Sequence, residues 1–503
     1  MSTTSAVPAA RDSRRWMVLA VICVAYLMLT LDMTVMNLAL PSAQEALDFS
    51  DADKQWIVTS YALCYGTLLL IGGKLSDLIG RRETFLVGLV GFAAASAVGG
   101  AANSFGMLVT ARAAQGVFAA LLAPTTLSML ATTFTDPKER GKAFGAFSAV
   151  AASGGGLGLL IGGALTSGLN WRWCMYVNLV FAAFCLIVGG RLVPRQPRAK
   201  ASLDIPGVIL VSAGLFGLVY GFSNAATHSW DTPSTWGFLA AGAVLLIVFA
   251  AWQTRAQQPL LPPRVVTDRN RGGAYLTSLL VGIGMFGVLL FLIYYLQTEL
   301  GYSAIKSGLA LLPMMIVTGV ASNVGNIKVM PKSGPRPLIT IGMLVNAGAM
   351  LWLTQIGADS NYATAILGPL MLIGLGMGMI YAAALNTGTS GVAPQDAGVA
   401  SATISAGSQL GGAIGTALLN TIAASAASDY VSSHAQGKPS VEVFHLAAIE
   451  GYQQVFWWCA AIFTAGAVLG GLILRSGPLP APAWAAKPKV EEPEAGEPEK
   501  ALS

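Results

Sequence analysis

Apolar runs long enough to cross a bilayer recur along almost the whole chain, and this recurrence constrains the fold more than any other feature. A membrane-spanning helix needs about 20 apolar residues. Fourteen such runs can be marked, from 16–40 at the start to 453–475 at the end. The weakest is 398–427, which is rich in Ala, Gly and Ser. In lipid every backbone N–H and C=O must be paired within the protein, so runs of this length become helices. Composition agrees: 54% of residues are hydrophobic and 11% are charged, against about 25% charged in soluble domains. The expected fold is an all-α polytopic membrane protein with 14 transmembrane helices. The first run is too long for a signal-peptide core and lacks a small-residue cleavage site behind it, so it is read as a retained helix.

Lysine and arginine set the orientation. With the N-terminus in the cytoplasm, only Lys54, Arg172, Lys306 and Lys438 of the 29 basic residues face outward, and Arg112 lies within a run. Both termini are therefore expected to be cytoplasmic, in a multi-pass protein of the cell membrane. The net charge of +5 is then a topology signal and implies no nucleic-acid partner. Cys23, Cys64, Cys174, Cys185 and Cys459 lie in or beside apolar runs, with no metal or redox spacing. His228, His434 and His445 fall in expected outer loops. No metal and no cofactor are expected. No Gly-x4-Gly-Lys-Ser/Thr loop occurs, so ATP is not the direct energy source.

The chain repeats itself. Gly80-Arg81-Arg82 and Gly88 match Gly334-Pro335-Arg336 and Gly342 at identical spacing, and Pro137 to Gly141 matches Pro394 to Gly398. The two offsets are nearly equal and exceed the length of six spans, which implies six helices, an inserted pair and six more helices. The expected organisation is a cytoplasmic tail at 1–15, a six-helix bundle at 16–193, two inserted helices with flanking loops at 194–272, a second six-helix bundle at 273–475, and a disordered cytoplasmic tail at 476–503.

Asp32 is the one acid deep in the first half. Counting back from Pro41 puts it about 13 Å inside the membrane, where a carboxylate costs several kcal/mol unless protonated, paired or wetted. Arg112, in the fourth span, lies at a similar depth, and buried opposite charges tend to pair. A protonatable group on a transport path and a structural acid are the two readings of Asp32, and the first is favoured. For Arg112, a part in proton transfer and a structural bond to helix carbonyls stand level.

Several strings carry a family resemblance. The loop Gly73-Lys74-Leu75-Ser76-Asp77-Leu78-Ile79-Gly80-Arg81-Arg82 offers a tight glycine turn and a charge cluster suited to a gate. It resembles the signature loop of the major facilitator superfamily. Arg112, Gln115 and Gly116 resemble that superfamily's fourth-helix motif, whose Arg is linked to proton transfer. Gly145, Gly154, Gly158, Gly162 and Gly163 form a close-packing helix surface; their spacing resembles the antiporter motif of drug/proton exporters, with Leu159 in place of the family's Pro. Leu31-Asp32-x-Thr34-x-x-Asn37-x-Ala39-Leu40-Pro41 and Trp171-Arg172-Trp173 with Asn178 resemble motifs of the fourteen-helix drug/proton antiporters.

The resemblance implies a major facilitator fold, two six-helix bundles plus two inserted helices, and a proton-motive-force-driven antiporter. Such a protein exports a bulky amphipathic drug or antibiotic and confers resistance, as the self-resistance exporters of actinobacteria do. Asp32 and Arg112 are the implied proton-coupling pair. Asn37, Tyr61 and Asn386 are candidate substrate contacts. The expected partners are a small-molecule drug or antibiotic, protons and the lipid bilayer, and the expected state is a monomer. Three rivals remain: an uptake symporter of the same fold, a membrane-embedded enzyme, and a sensor that no longer transports. An enzyme is disfavoured, because only Asp32 and Arg112 supply ionisable groups at membrane depth in the first half.

Overall fold

The computed structural model describes residues 8–49, 51–194, 203–228, 230, 232–434 and 440–479. The expected C-terminal tail lies almost wholly outside the described residues, as do residues 1–7. Fourteen of its helices are long and apolar enough to cross a membrane, and no strand occurs among the described residues. We label them α1 (Pro8–Leu47), α2 (Asp51–Ile79), α3 (Arg81–Gly100), α4 (Phe105–Thr133), α5 (Pro137–Gly168), α6 (Trp173–Leu192), α7 (Ile205–His228) and α8 (Pro233–Gln253). The second half continues with α9 (Arg269–Tyr294), α10 (Ala304–Val324), α11 (Pro335–Leu353), α12 (Leu367–Gly388), α13 (Ala397–His434) and α14 (Val441–Ile473).

The packing repeats with the helices. In the first half α1 packs on α5 and α6, α2 on α4, and α3 on α4 and α6. In the second half α9 packs on α13 and α14, α10 on α12, and α11 on α12 and α14. These are two six-helix bundles of one design, with α7 and α8 inserted between them. Each bundle has its own core: Phe85, Phe92 and Phe144 are fully buried in the first, and Met343, Phe456 and Phe463 in the second. The bundles meet along two seams, α5 against α10 and α2 against α13. The inserted helices pack on each other, and α7 lies along the second seam against both α2 and α13.

Helix ends explain the sequence repeat. Gly80 and Gly334 both sit before a helix with positive φ, 112° and 77°, a conformation open to glycine. Arg82 Nη2 then donates to the Gly190 carbonyl at the end of α6 (2.7 Å). Its counterpart Arg336 donates to Ser476 Oγ just past α14 (2.8 Å). Arg14 and Arg269, at the starts of α1 and α9, donate to the terminal carbonyls of α6 and α14. Cations at helix C-termini satisfy orphan carbonyls and oppose the helix dipole.

Three helices run longer than their apolar cores. α1 continues through Pro41 to Leu47, past the end of the first apolar run at residue 40, so Glu45 is helical. Burial of Ala43 and Phe49 beside Trp171 holds this extension. α13 reaches His434 and α14 starts at Val441, which places His445 on a helix, 3.2 Å from Glu299. Apolar-run counting stops at the membrane surface, whereas helices stop at caps: Ser440 Oγ accepts from Val443 N at the start of α14.

Asp204 fastens the inserted pair. Its carboxylate accepts from Gly207 N at the start of α7 (3.0 Å), from Trp252 Nε1 (2.9 Å) and Gln253 Nε2 (2.8 Å) at the end of α8, and from Leu260 N beyond it (3.3 Å). Burial pushes the carboxyl up, but these bonds to its charged form outweigh burial and hold it below the usual value. A depressed carboxyl stabilises the fold above its unfolded pKa and loses that contribution as pH falls through its folded pKa. In detergent, Asp204→Ala should therefore melt lower than wild type, since orphaned buried donors cost about 1–3 kcal/mol. The gap between wild type and Asp204→Asn should narrow as pH falls below the ordinary carboxylate range, because the folded-state value is depressed. Equal melting at neutral pH would mean that the carboxylate holds nothing.

Candidate functional site

Asp32 lies in α1 and is only 2% exposed; Arg112, in α4, is 1% exposed. The two are joined, Arg112 Nη1 donating to Asp32 Oδ2 at 2.6 Å. The other carboxylate oxygen accepts from Asn178 Nδ2 (2.7 Å) and Gln115 Nε2 (3.0 Å). Gln115 also donates to Ser96 Oγ (2.7 Å) and accepts from Arg112 (2.8 Å). The guanidinium donates further to the Ile57 carbonyl (3.3 Å) and lies over the Tyr61 ring, 4.3 Å from its centroid. Every partner comes from the first bundle: α1, α2, α3, α4 and α6. Two atoms at the rim, the Tyr61 hydroxyl and Asn178 Oδ1, are buried without a hydrogen-bond partner.

Glycines on α5 hold α1 in place. A side chain at Gly154 or Gly158 would overlap Thr30 or Thr34 of α1, and one at Gly162 would press on Val35. Thus one face of the string, spaced four residues apart, seats the Asp32 helix. Gly145 and Gly163 face α10 instead, meeting Asn323 and Ile305. Leu159 also lies on this second face, against Gly308 of α10. Gly116 brings α4 against the α2 backbone at Tyr61 and Tyr65. In lipid, such close approach is what holds helices together.

At the end of α2 the bundles are latched by charge. Asp77 accepts from the Gly398 backbone N–H at the start of α13 (3.0 and 3.2 Å) and from Arg81 Nη2 (3.1 Å). Arg81 Nε in turn donates to Ser128 Oγ (2.6 Å). Gly73 allows the approach, since a side chain there would strike Gly398 and Ala402. A carboxylate at a helix N-terminus is favourable by about 0.3–1 kcal/mol, and up to about 2 when partly buried. Arg82 takes no part in this cluster; neighbours on a helix point about 100° apart, and it caps α6. Arg140, at the start of α5, makes a second latch on the same face. It donates to Asn386 Oδ1 (2.6 Å), to Thr389 Oγ1 (2.7 Å) and to the Asn386 carbonyl (3.3 Å) at the end of α12, and to the Ala131 carbonyl (2.8 Å).

Above these latches lies a narrow central cavity between the bundles. Its wall includes Tyr26, Tyr65 and Phe147 from the first bundle and Tyr381, Ser405 and Gln409 from the second. Of the candidate substrate contacts, Tyr61 is off this wall, under Arg112; Tyr65, one turn on, is on it. Asn386 is held by Arg140, next to the wall residue Leu385. The Asn37 side chain lies outside the described residues. Sequence reasoning missed Tyr26, Tyr65, Tyr381, Ser96 and Arg140. The Pro137–Gly141 repeat that contains Arg140 was the available signal for the last.

Asp77→Asn keeps the size of the side chain and removes its charge. With spin labels on the exposed Ile79 and Gln395, this variant should populate wider α2–α13 separations up to about tenfold more, the factor for about 1.4 kcal/mol. An unchanged distance distribution would mean that the Asp77 contact does not hold the seam.

The Major Facilitator Superfamily model matches residues 22–416. The puromycin resistance protein pur8 of Streptomyces alboniger is 44% identical, over 92% of both chains. The cephamycin export protein CmcT of Amycolatopsis lactamdurans is 37% identical, over 85% of this chain and 90% of its own. The tetracenomycin C resistance and export protein of Streptomyces glaucescens is 33% identical, over 83% of this chain and 77% of its own. Among solved structures, the human organic anion transporter MFSD10 (TETRAN) superposes with a TM-score of 0.61 at 17% identity, over 91% of this chain and 99% of that one. With the matched helices, their repeated packing and these relatives together, the chain belongs to the major facilitator superfamily of membrane transporters.

Proposed function

We propose that this protein is a proton-driven antiporter that exports a bulky amphipathic antibiotic through the cell membrane, with both termini in the cytoplasm. The observation that carries the reading is the Asp32–Arg112 pair, sealed inside the first bundle at membrane depth. A carrier needs an acid that changes partners when it takes a proton. Protonation removes the charge that Arg112 binds, and the two orphan atoms nearby, on Tyr61 and Asn178, supply alternative partners. Arg112 lies over Tyr61, and the Tyr61 ring is 5.8 Å from that of Tyr65, which lines the cavity. A change at Asp32 therefore has a short packed route to the cavity. That route is a spatial one; coupling along it is part of the proposal.

Export, as opposed to uptake, is supported by the α5 glycine string and by relatives named for resistance and export. The central cavity is the drug site in this reading, and the Asp77 and Arg140 contacts close its cytoplasmic side. The protein works as a monomer. A puromycin-like antibiotic is the proposed substrate, on the strength of a relative 44% identical over 92% of the chain.

Everted vesicles containing the protein should release protons when puromycin is added across a preset pH gradient. Asp32→Asn should bind the drug with an affinity within about threefold of wild type, yet lose uphill transport by about 100-fold or more, as expected when a group acts only in the driven step. Full proton-coupled export by this variant would assign Asp32 a structural role. Entry of drug into whole cells together with protons would refute antiport.

A further inference from the structure

The cavity wall carries no ionisable acid or base other than tyrosine phenols. Three aromatic hydroxyls, Tyr26, Tyr65 and Tyr381, face a space completed by the hydroxyls of Thr277, Ser278 and Ser405 and the Gln409 amide. Tyr26 and Tyr381 line this space from opposite sides of the seam between the bundles. Such a wall offers ring faces and hydrogen bonds in both senses, and nothing that neutralises a charge.

The charged groups on the surrounding helices, buried Lys74 of α2 among them, all lie off this wall. On α1, Asp32 lies beyond Tyr26 with both oxygens occupied by Arg112, Gln115 and Asn178. On α2, Asp77 is held by Arg81 and Gly398. On α4, Arg112 is paired with Asp32. On α5, Arg140 lies under the cavity floor with four neutral acceptors on Asn386, Thr389 and Ala131. On α9 no charge occurs between Arg271 and Glu299, on α12 none occurs, and on α13 none lies between its start and Asp429. A cation entering this cavity would lose its water without meeting a carboxylate, and it would face Arg140 from above. Cation–π contacts with tyrosine offset only part of such a cost.

We propose that the exported compound is taken up by this cavity in its uncharged form, as a hydrogen-bonding aromatic amphiphile, and that it never contacts Asp32. Drug and proton then bind at separate sites, and an amine drug is bound as the free base. This rests on the exporter reading above and adds the charge state of the substrate.

The test uses the purified full-length protein in lipid nanodiscs, with puromycin, whose amine loses its proton near neutral pH, and tetraphenylphosphonium, an aromatic cation at every pH. Puromycin should bind more tightly as pH rises from 6 to 8, with the same slope in wild type and in Asp32→Asn. Tetraphenylphosphonium should bind at least about tenfold more weakly than puromycin at pH 8. Tyr381→Phe, which keeps the ring, should weaken puromycin severalfold. Loss of the pH slope in Asp32→Asn would place the titrating group on the protein and overturn the proposal. Cation binding as tight as that of puromycin would overturn it too, while leaving the exporter reading intact. If neither probe binds, the exporter reading for this drug class fails, and the charge-state proposal falls with it.

Discussion

A charge inside a membrane has to be answered by the protein itself, and Asp32, Asp77 and Arg140 are answered in three different ways. Asp32 and Arg112 answer each other, with Gln115 and Asn178 taking up the remaining oxygen. Asp77 is answered by a helix N-terminus and an arginine. Arg140 is answered by carbonyls and neutral side chains alone. Removing one partner from a buried pair costs about 3–5 kcal/mol, so these contacts can change only when a proton or a movement of the bundles supplies a replacement. In the proposed antiport cycle, that requirement separates the internal Asp32–Arg112 cluster, where a proton can be the replacement, from the contacts between bundles, where a movement can be.

Close packing does the remaining work. Lipid gives helices no hydrophobic reason to associate, so backbone approach through small residues takes that place. The α5 glycines serve two neighbours: Gly154, Gly158 and Gly162 seat α1, and Gly145 and Gly163 seat α10. One helix thus ties the position of Asp32 to a seam between the bundles. Leu159 lies on the seam side, where it packs against Gly308, so it fills contact space that the smaller residues around it leave open.

Much of this was legible in the sequence for simple reasons. The spans follow from run length, and the repeat follows from paired Gly and Pro positions that turn out to be helix starts with positive φ at Gly80 and Gly334. The Asp32–Arg112 pair was readable because charge and depth can both be counted. Neutral polar residues give no such signal. Ser96 and the tyrosines of the cavity look like ordinary packing until neighbouring helices are placed, and Tyr61 and Tyr65 differ by a single turn that hydropathy cannot resolve. Arg140 read as one more inward-loop cation, because its partners, Asn386 and Thr389, are about 250 residues away in the chain and belong to the other bundle.

The two seams are related by the repeat but are not equivalent. Gly141 at the start of α5 meets the end of the α10 segment at Asn326, just as Gly398 at the start of α13 meets α2 at Gly73. Among the described residues, only at the second crossing does an acid of the facing helix, Asp77, accept from the glycine N–H at the helix start. Only that crossing is also flanked by the inserted helices, where Leu70 of α2, Val211 and Leu215 of α7 and Ala402 of α13 form one apolar cluster. Beside it, Arg264 from the segment after α8 holds Asp396 with both oxygens (2.9–3.2 Å). The α5–α10 contact itself is held by shape, through glycine, while Arg140 at the start of α5 reaches beside it to the end of α12. The α2–α13 seam is held by charge and by a helix pair that touches both bundles, and these contacts are either made or broken. The insertion of α7 and α8 thus adds apolar contact to the seam that carries the Asp77 contact.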